Sequence, residues 1–277
     1  MYLTKKVGRI TYTYDGVEKT VTVEENATFN VPSSVAAIDA PPVWEWRDGQ
    51  ILAWQPIIAE VTPANGPVTR VAAEPPAAVL VGGAWNVSFP EGWDAPASVT
   101  FPRLVSWTER PEDGIKYFSG TATYTKRVSA PPLPQGARLV LDLGNVKNFA
   151  EVTVNGKTYP VLWKPPFRVD VTDAINCVSP AGGSRVLDLS IRVTNLWPNR
   201  LIGDDRLYPE DCVGNGVPRR GTKEFGVREI PQWVKDGKRS PTGRHTFTTW
   251  KHWDKGDDLL PSGLLGPVLM RTGVIAK

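Results

Sequence analysis

Leu187-Asp188-Leu189-Ser190-Ile191-Arg192-Val193 alternates apolar and polar side chains at every step. Successive residues of a strand project to opposite faces. Leu187, Leu189, Ile191 and Val193 therefore share one face and Asp188, Ser190 and Arg192 the other, as in a strand lying half on a core and half in water. The same period recurs at Leu139, Leu141 and Leu143, at Val152 and Val154, and at Phe167, Val169 and Val171. Between such runs stand Asp15-Gly16, Asp48-Gly49 and Asn155-Gly156. These pairs accept the positive φ angles of hairpin turns that match strand twist. No window of a dozen residues carries a helical period, and 26 prolines cut the chain into segments too short for long helices. The expected fold class is all-β: an antiparallel jelly-roll β-sandwich of two packed sheets, with a small N-terminal β segment.

Pro63, Pro67, Pro75 and Pro76 fall among alanines and small polar residues. They predict a linker or crossover over 63–79, between a small β element at 1–62 and the main sandwich at 80–277. Residues 199–244 are rich in glycine, proline and charge and read as one long loop, which in a compact domain is usually functional or poorly ordered. The net charge is +3 and the 32 basic residues are scattered, so the basic face of a nucleic-acid binder is missing. No stretch approaches the roughly 20 apolar residues that cross a bilayer. Lys5, Lys6 and Arg9 precede no apolar run of the kind a signal peptide needs, which leaves the compartment open. Cys177 and Cys212 form neither a disulfide framework nor a zinc site; they bridge one another or lie apart as two buried thiols.

The usual catalytic signatures fail in turn. Gly156-Lys157-Thr158 mimics the end of a phosphate-binding loop, but position 151 is Glu, and the stretch reads as a hairpin turn. Gly214-Asn215-Gly216 lacks a third glycine and runs into Pro218, and no Gly-x-Ser-x-Gly elbow exists. His245 and His252 cannot build a three-histidine centre and read as surface residues. Sugar hydrolysis needs two carboxylates, for which Asp204 and Glu224 are the weak candidates. The reading preferred for them and for Asp205, Glu210, Asp211 and Glu229 is solvated ion pairing with Arg200, Arg206, Arg219 and Arg220. No cofactor is expected. A structural calcium in the oxygen-rich loop is the one metal considered, without the Asp-x-Asp-x-Asp-Gly spacing that would support it.

The chain has 11 tryptophans against 2 methionines. An indole face packs against the C–H face of a sugar ring, and in an all-β core it is also a good filler. Trp85 and Trp163 adjoin apolar runs and read as filler. Trp197, Trp233, Trp250 and Trp253 fall in loops and read as ligand residues. Loops leaving one end of a sandwich cluster at a rim, so the expected ligand site joins Trp197, Asn199, Arg200, Asp204, Trp250 and Trp253. Trp197 or Trp250 supplies the stacking face, and Asn199, Arg200 and Asp204 bind hydroxyls or a uronate carboxylate. In the competing reading Arg200 and Asp204 form a structural ion pair and Trp197 plugs the core.

Val154-Asn155-Gly156, then LWKPPFRVDVT at 162–172 and the strand ending Val193-Thr194-Asn195, resemble the galactose-binding-like sugar-binding jelly roll of glycoside hydrolases. KYFSGTATY at 116–124, NLWPNRLIGD at 195–204, RHTFTTWKHW at 244–253 and LLPSGLLGPV at 259–268 resemble the C-terminal β-sandwich of the family 106 α-L-rhamnosidases. The resemblance spans about residues 80–277 and is looser over 1–62. It implies an origin among enzymes acting on plant cell-wall polysaccharide, a secreted or periplasmic setting, and a catalytic domain as partner. The family's catalytic acids sit on a (β/α)8 barrel, and these residues have neither the length nor the βα alternation for one. The expected function is a non-catalytic carbohydrate-binding module. The alternatives are a small stand-alone glycoside hydrolase and a structural domain that supports a catalytic barrel.

Overall fold

The computed structural model describes residues 42–47, 49–62, 67–176, 186–208, 230–248 and 253–277, together with the backbone of two N-terminal strands. The chain forms two compact units, Met1–Pro42 and Val43–Lys277. In the first, β1 (Val7–Tyr14) pairs antiparallel with β2 (Val17–Glu24), Tyr14 opposite Val17. Asp15-Gly16, Asp48, Cys177 and Cys212 lie outside the described residues.

The second unit opens with β3 (Trp44–Arg47), β4 (Gln50–Ala53), β5 (Ile57–Val61), β6 (Thr69–Ala73) and β7 (Val79–Leu80). Next come β8 (Trp85–Ser88), β9 (Ser98–Phe101), β10 (Thr121–Ser129), β11 (Arg138–Asp142) and β12 (Asn145–Lys147). The last strands are β13 (Phe149–Val154), β14 (Lys157–Thr158), β15 (Arg168–Asp170), β16 (Val186–Thr194), β17 (Gly263–Gly266) and β18 (Leu269–Ile275). One six-stranded sheet runs β14-β13-β16-β10-β8-β9 and the other β15-β11-β18-β4-β3, with β7 also on β18. Neighbours in both sheets pair antiparallel. This is the all-β sandwich that the alternation foretold. Within the stretch 63–79, β6 pairs with β5, and upstream of it β4 joins β18.

The period-two reading holds at the level of single side chains. Leu187, Leu189, Ile191 and Val193 of β16 are buried, while Asp188 and Arg192 face water. Each such aliphatic side chain contributes about 1.5–3 kcal/mol relative to exposure. They meet Leu139, Leu141 and Leu143 in a core that also holds Trp85, Trp107, Phe101 and Tyr124. Between β13 and β14, Asn155 and Gly156 take φ values of 49° and 81°, both in the left-handed region that a type I′ hairpin requires.

Two expectations are corrected. The start of the 199–244 stretch is not loop: Pro198–Leu207 is a helix with proline in its first turn, where the missing N–H leaves no bond unmade. The helix lies so close to the sandwich that a Cβ on Gly203 would stand 2.4 Å from Cβ of Tyr117. Trp163 is not core filler either, being 66% exposed. Its neighbour Leu162 bridges Ala150, so the register sets Trp163 opposite the half-exposed Phe149, one step out of the core face.

Candidate functional site

The helix Pro198–Leu207 buries polar residues. Asn199, Arg200 and Asp204 are 1%, 1% and 0% exposed. Such groups must be matched by partners when water is removed. Asn199 donates to the Leu260 carbonyl (2.7 Å) and Ser262 Oγ (2.8 Å), and its Oδ1 accepts from the Leu260 N–H (2.8 Å). Asp204 Oδ2 accepts from the His245 N–H, the Thr246 N–H and Thr246 Oγ1 at 3.0, 2.7 and 2.6 Å. Its Oδ1 lies 2.8 Å from Arg200 Nη2, one helical turn back. That contact is a charge pairing off the N–H axis, and Arg200 Nε and Nη2 have no in-line acceptor among the described residues. Arg244 donates to Asp205 at 2.7 Å, a second largely buried pair. Arg200, Asp204, Asp205 and Arg244 are thus clamps under the surface rather than solvated pairs, and they hold residues 244–246 against the helix, whereas Arg206 is exposed and Glu210, Asp211, Arg219, Arg220 and Glu229 lie outside the described residues.

The clamp positions His245, whose side chain is 5% exposed and no surface residue. Its ring stacks on Trp93 at 5.2 Å between centroids and 15° between planes. Trp93 also meets Trp197 at 5.9 Å and 57°. Trp197, immediately before the helix, is 55% exposed and so does not plug the core. Beside these rings stands Asp94, at φ 60°. Its loop is pressed so tightly onto the turn Asp113–Lys116 that a Cβ on Gly114 would meet the Asp94 carbonyl at 1.9 Å. Asp94 Oδ2 accepts from His245 Nε2 (2.7 Å), Arg239 Nη2 (2.8 Å) and the Tyr208 hydroxyl (2.9 Å). Burial pushes the Asp94 carboxyl up, but the hydrogen bonds from His245, Arg239 and Tyr208 outweigh it and hold the group at about 2. Among the described residues Oδ1 carries no hydrogen bond and remains an acceptor at a side chain 38% exposed.

The outcome is an open aromatic face, Trp197 leaning on Trp93, beside a fixed carboxylate and guanidinium. Of the residues expected at the ligand site, Trp197 reaches this face. Asn199, Arg200 and Asp204 lie beneath it as its frame, which leaves the Asp204 carboxylate without access to a substrate. Trp253 is half-buried. Trp233 is also half-buried, edge-on to Phe247 at 6.2 Å. Trp250, Glu224 and His252 lie outside the described residues. Trp93, Asp94, Tyr208, Arg239 and His245 were not expected there, being far apart in the chain. A tryptophan flanked by Gly92 and an aspartate in a loop was the available signal. Among the described residues, no three His, Cys, Asp or Glu side chains gather to hold a metal ion. No helix there is long and apolar enough to cross a membrane.

Comparison with known proteins aligns this chain with portions of longer proteins. No family model matches it. A protein of Formosa agariphila named "Putative beta-glucuronidase" is 39% identical over 265 residues, covering 94% of this chain and 21% of that protein. This chain is a glycoside hydrolase-related domain. The solved rhamnosidase of Novosphingobium sp. PP1Y aligns at 30% identity with a TM-score of 0.51, over 76% of this chain and 16% of that one. A beta-glucuronidase of Faecalibacterium prausnitzii is a more distant likeness, at 17% identity and a TM-score of 0.44, over 77% of this chain and 33% of that one. The domain thus spans about a fifth of the curated relative and about a sixth of the rhamnosidase.

Proposed function

We propose that this domain is a non-catalytic carbohydrate-binding jelly roll that serves a glycoside hydrolase acting on plant polysaccharide. Trp197 is its sugar platform. The observation that carries this reading is the 55% exposure of an indole braced by a second tryptophan, beside the hydrogen-bonding Asp94 and Arg239. An apolar ring face with polar groups at its edge is what a pyranose presents in reverse: C–H bonds on its face, hydroxyls on its rim. Affinity with the family 106 α-L-rhamnosidases is part of the proposal, supported by the motifs at 195–204 and 259–268 and by the rhamnosidase likeness. Calorimetric titration of the chain with a panel of plant-wall oligosaccharides tests it. Trp197→Ala should weaken binding at least tenfold and leave the thermal midpoint in place, since an exposed side chain away from core packing carries little stability. Binding unchanged by that substitution, or none by the parent chain, overturns it.

A second reading has the domain buttress the rest of an enzyme. It is favoured by the exposed pair Trp163 and Phe149, at 66% and 38% exposure. Failure of every sugar to bind, with Trp163→Ala altering association with a catalytic domain, supports that reading instead.

A further inference from the structure

Leu196-Trp197-Pro198 borders both the aromatic face and a cavity. Trp197 turns toward Trp93 on one side. On the other, Leu196 and Pro198 line a cavity of about 220 Å³ together with Leu260, Pro261, Asn199, Ser262, Lys147 and Asn148. Leucine and proline make up half of its lining. Its floor is a closed polar network, because Ser262 Oγ already accepts from Asn195 and Asn199 and donates to the Leu260 carbonyl. The polar chemistry left for an occupant is therefore that of Lys147 and Asn148. Lys147 ends β12 there, opposite Gly263, and among the described residues no carboxylate pairs with it. The Asn148 side-chain amide, half-buried, has no hydrogen-bond partner among the described residues either. A lysine held at the edge of an apolar cavity is a point charge waiting for an anion, and leucine and proline walls suit a C–H face. The volume is below the roughly 300–1,000 Å³ of sites for drug-sized ligands, which limits the occupant to about one ring.

We propose that this cavity is an acidic-sugar subsite. It would take one uronate ring of an oligosaccharide whose neighbouring ring stacks on Trp197, with Lys147 binding the carboxylate and Asn148 a hydroxyl. The proposal rests on the carbohydrate-binding reading above and adds the class of sugar. The two subsites adjoin, since consecutive residues of one segment belong to both.

The test uses the intact chain, oligogalacturonides or glucuronate-containing oligosaccharides, and the same oligosaccharides after carboxyl reduction, which removes the charge and keeps the rings. Calorimetry should give at least tenfold tighter binding of the acidic form, weakening as salt rises while the reduced form is insensitive. Lys147→Gln should bring the two within about twofold and leave the reduced form's affinity in place, whereas Lys147→Arg should keep the preference. A thermal melt of each variant guards against loss of fold. Equal binding of acidic and reduced forms, with Trp197→Ala still disruptive, overturns the uronate subsite and leaves the platform standing. A preference that persists in Lys147→Gln overturns it as well. No binding of either form overturns both readings.

Discussion

Asp204→Asn removes one charge and changes almost no volume, which makes it the sharpest probe of the clamp beneath the aromatic face. In the parent chain Asp204 is fully buried and accepts from two backbone N–H groups and a hydroxyl while facing the Arg200 guanidinium at 2.8 Å. The amide leaves Arg200 buried without a counter-charge and turns an NH2 toward groups that are themselves donors. Breaking a buried pair from one side costs about 3–5 kcal/mol. At about 2–4 °C per kcal/mol for a domain of this size, the thermal midpoint should fall by about 6–20 °C. Circular dichroism and tryptophan fluorescence during heating measure it. The double change Arg200→Met with Asp204→Asn removes both charges while the amide oxygen still accepts from the His245 and Thr246 donors, and it should recover most of the loss, because the penalty lies in the orphaned ion. A shift of less than about 1 kcal/mol in Asp204→Asn, or a double variant less stable than the single, would refute the clamp.

Phe167 and Leu189 are 5% and 3% exposed in the core, and Phe167→Ala or Leu189→Ala should each cost about 3 kcal/mol in denaturant unfolding; a value under about 1 kcal/mol would place either outside it. The Asp94 carboxyl, held at about 2 against an ordinary 3.8, binds its proton less readily folded than unfolded. Its contribution to stability is therefore present above about pH 4 and is lost as pH falls from there through about 2. Carbon NMR titration of the side chain should give that midpoint, and Tyr208→Phe should raise it; a midpoint near 3.8 in the parent chain would dissolve the hub.

The strands were legible because burial in a two-sided sheet imposes a period of two, which β16 obeys throughout. The β13–β14 turn was legible because Asn155-Gly156 suits positive φ. The helix Pro198–Leu207 escaped for a physical reason: it buries Asn199, Arg200 and Asp204, so the apolar stripe that marks an amphipathic helix is missing. Its other signals, proline in the first turn and an arginine four residues before an aspartate, were present and outweighed by the glycine and charge around them. Trp163 adjoins an apolar run but lies out of phase with it, and adjacency alone does not reveal phase. The hub at Asp94 had no spacing to reveal it, since His245 arrives from 151 residues away, and only tertiary packing joins the two. Arg200 and Asp204 were paired correctly in the competing reading, whereas the core plug assigned to Trp197 in that reading was not.

Strand β18 sets the order in which this fold assembles. It pairs with β11, β7 and β4, joining residue 269 to residue 80 and residue 275 to residue 52. The second sheet therefore lacks its central member until residues 269–275 have been synthesised. Chain closure over such separations is slow, and unfinished sheets expose unpaired edges meanwhile. The first sheet can form earlier, because β10, β13 and β16 are already present. On a ribosome the protein would thus pass through a one-sheet stage, with Leu187, Leu189, Ile191 and Val193 facing water until their covering layer arrives.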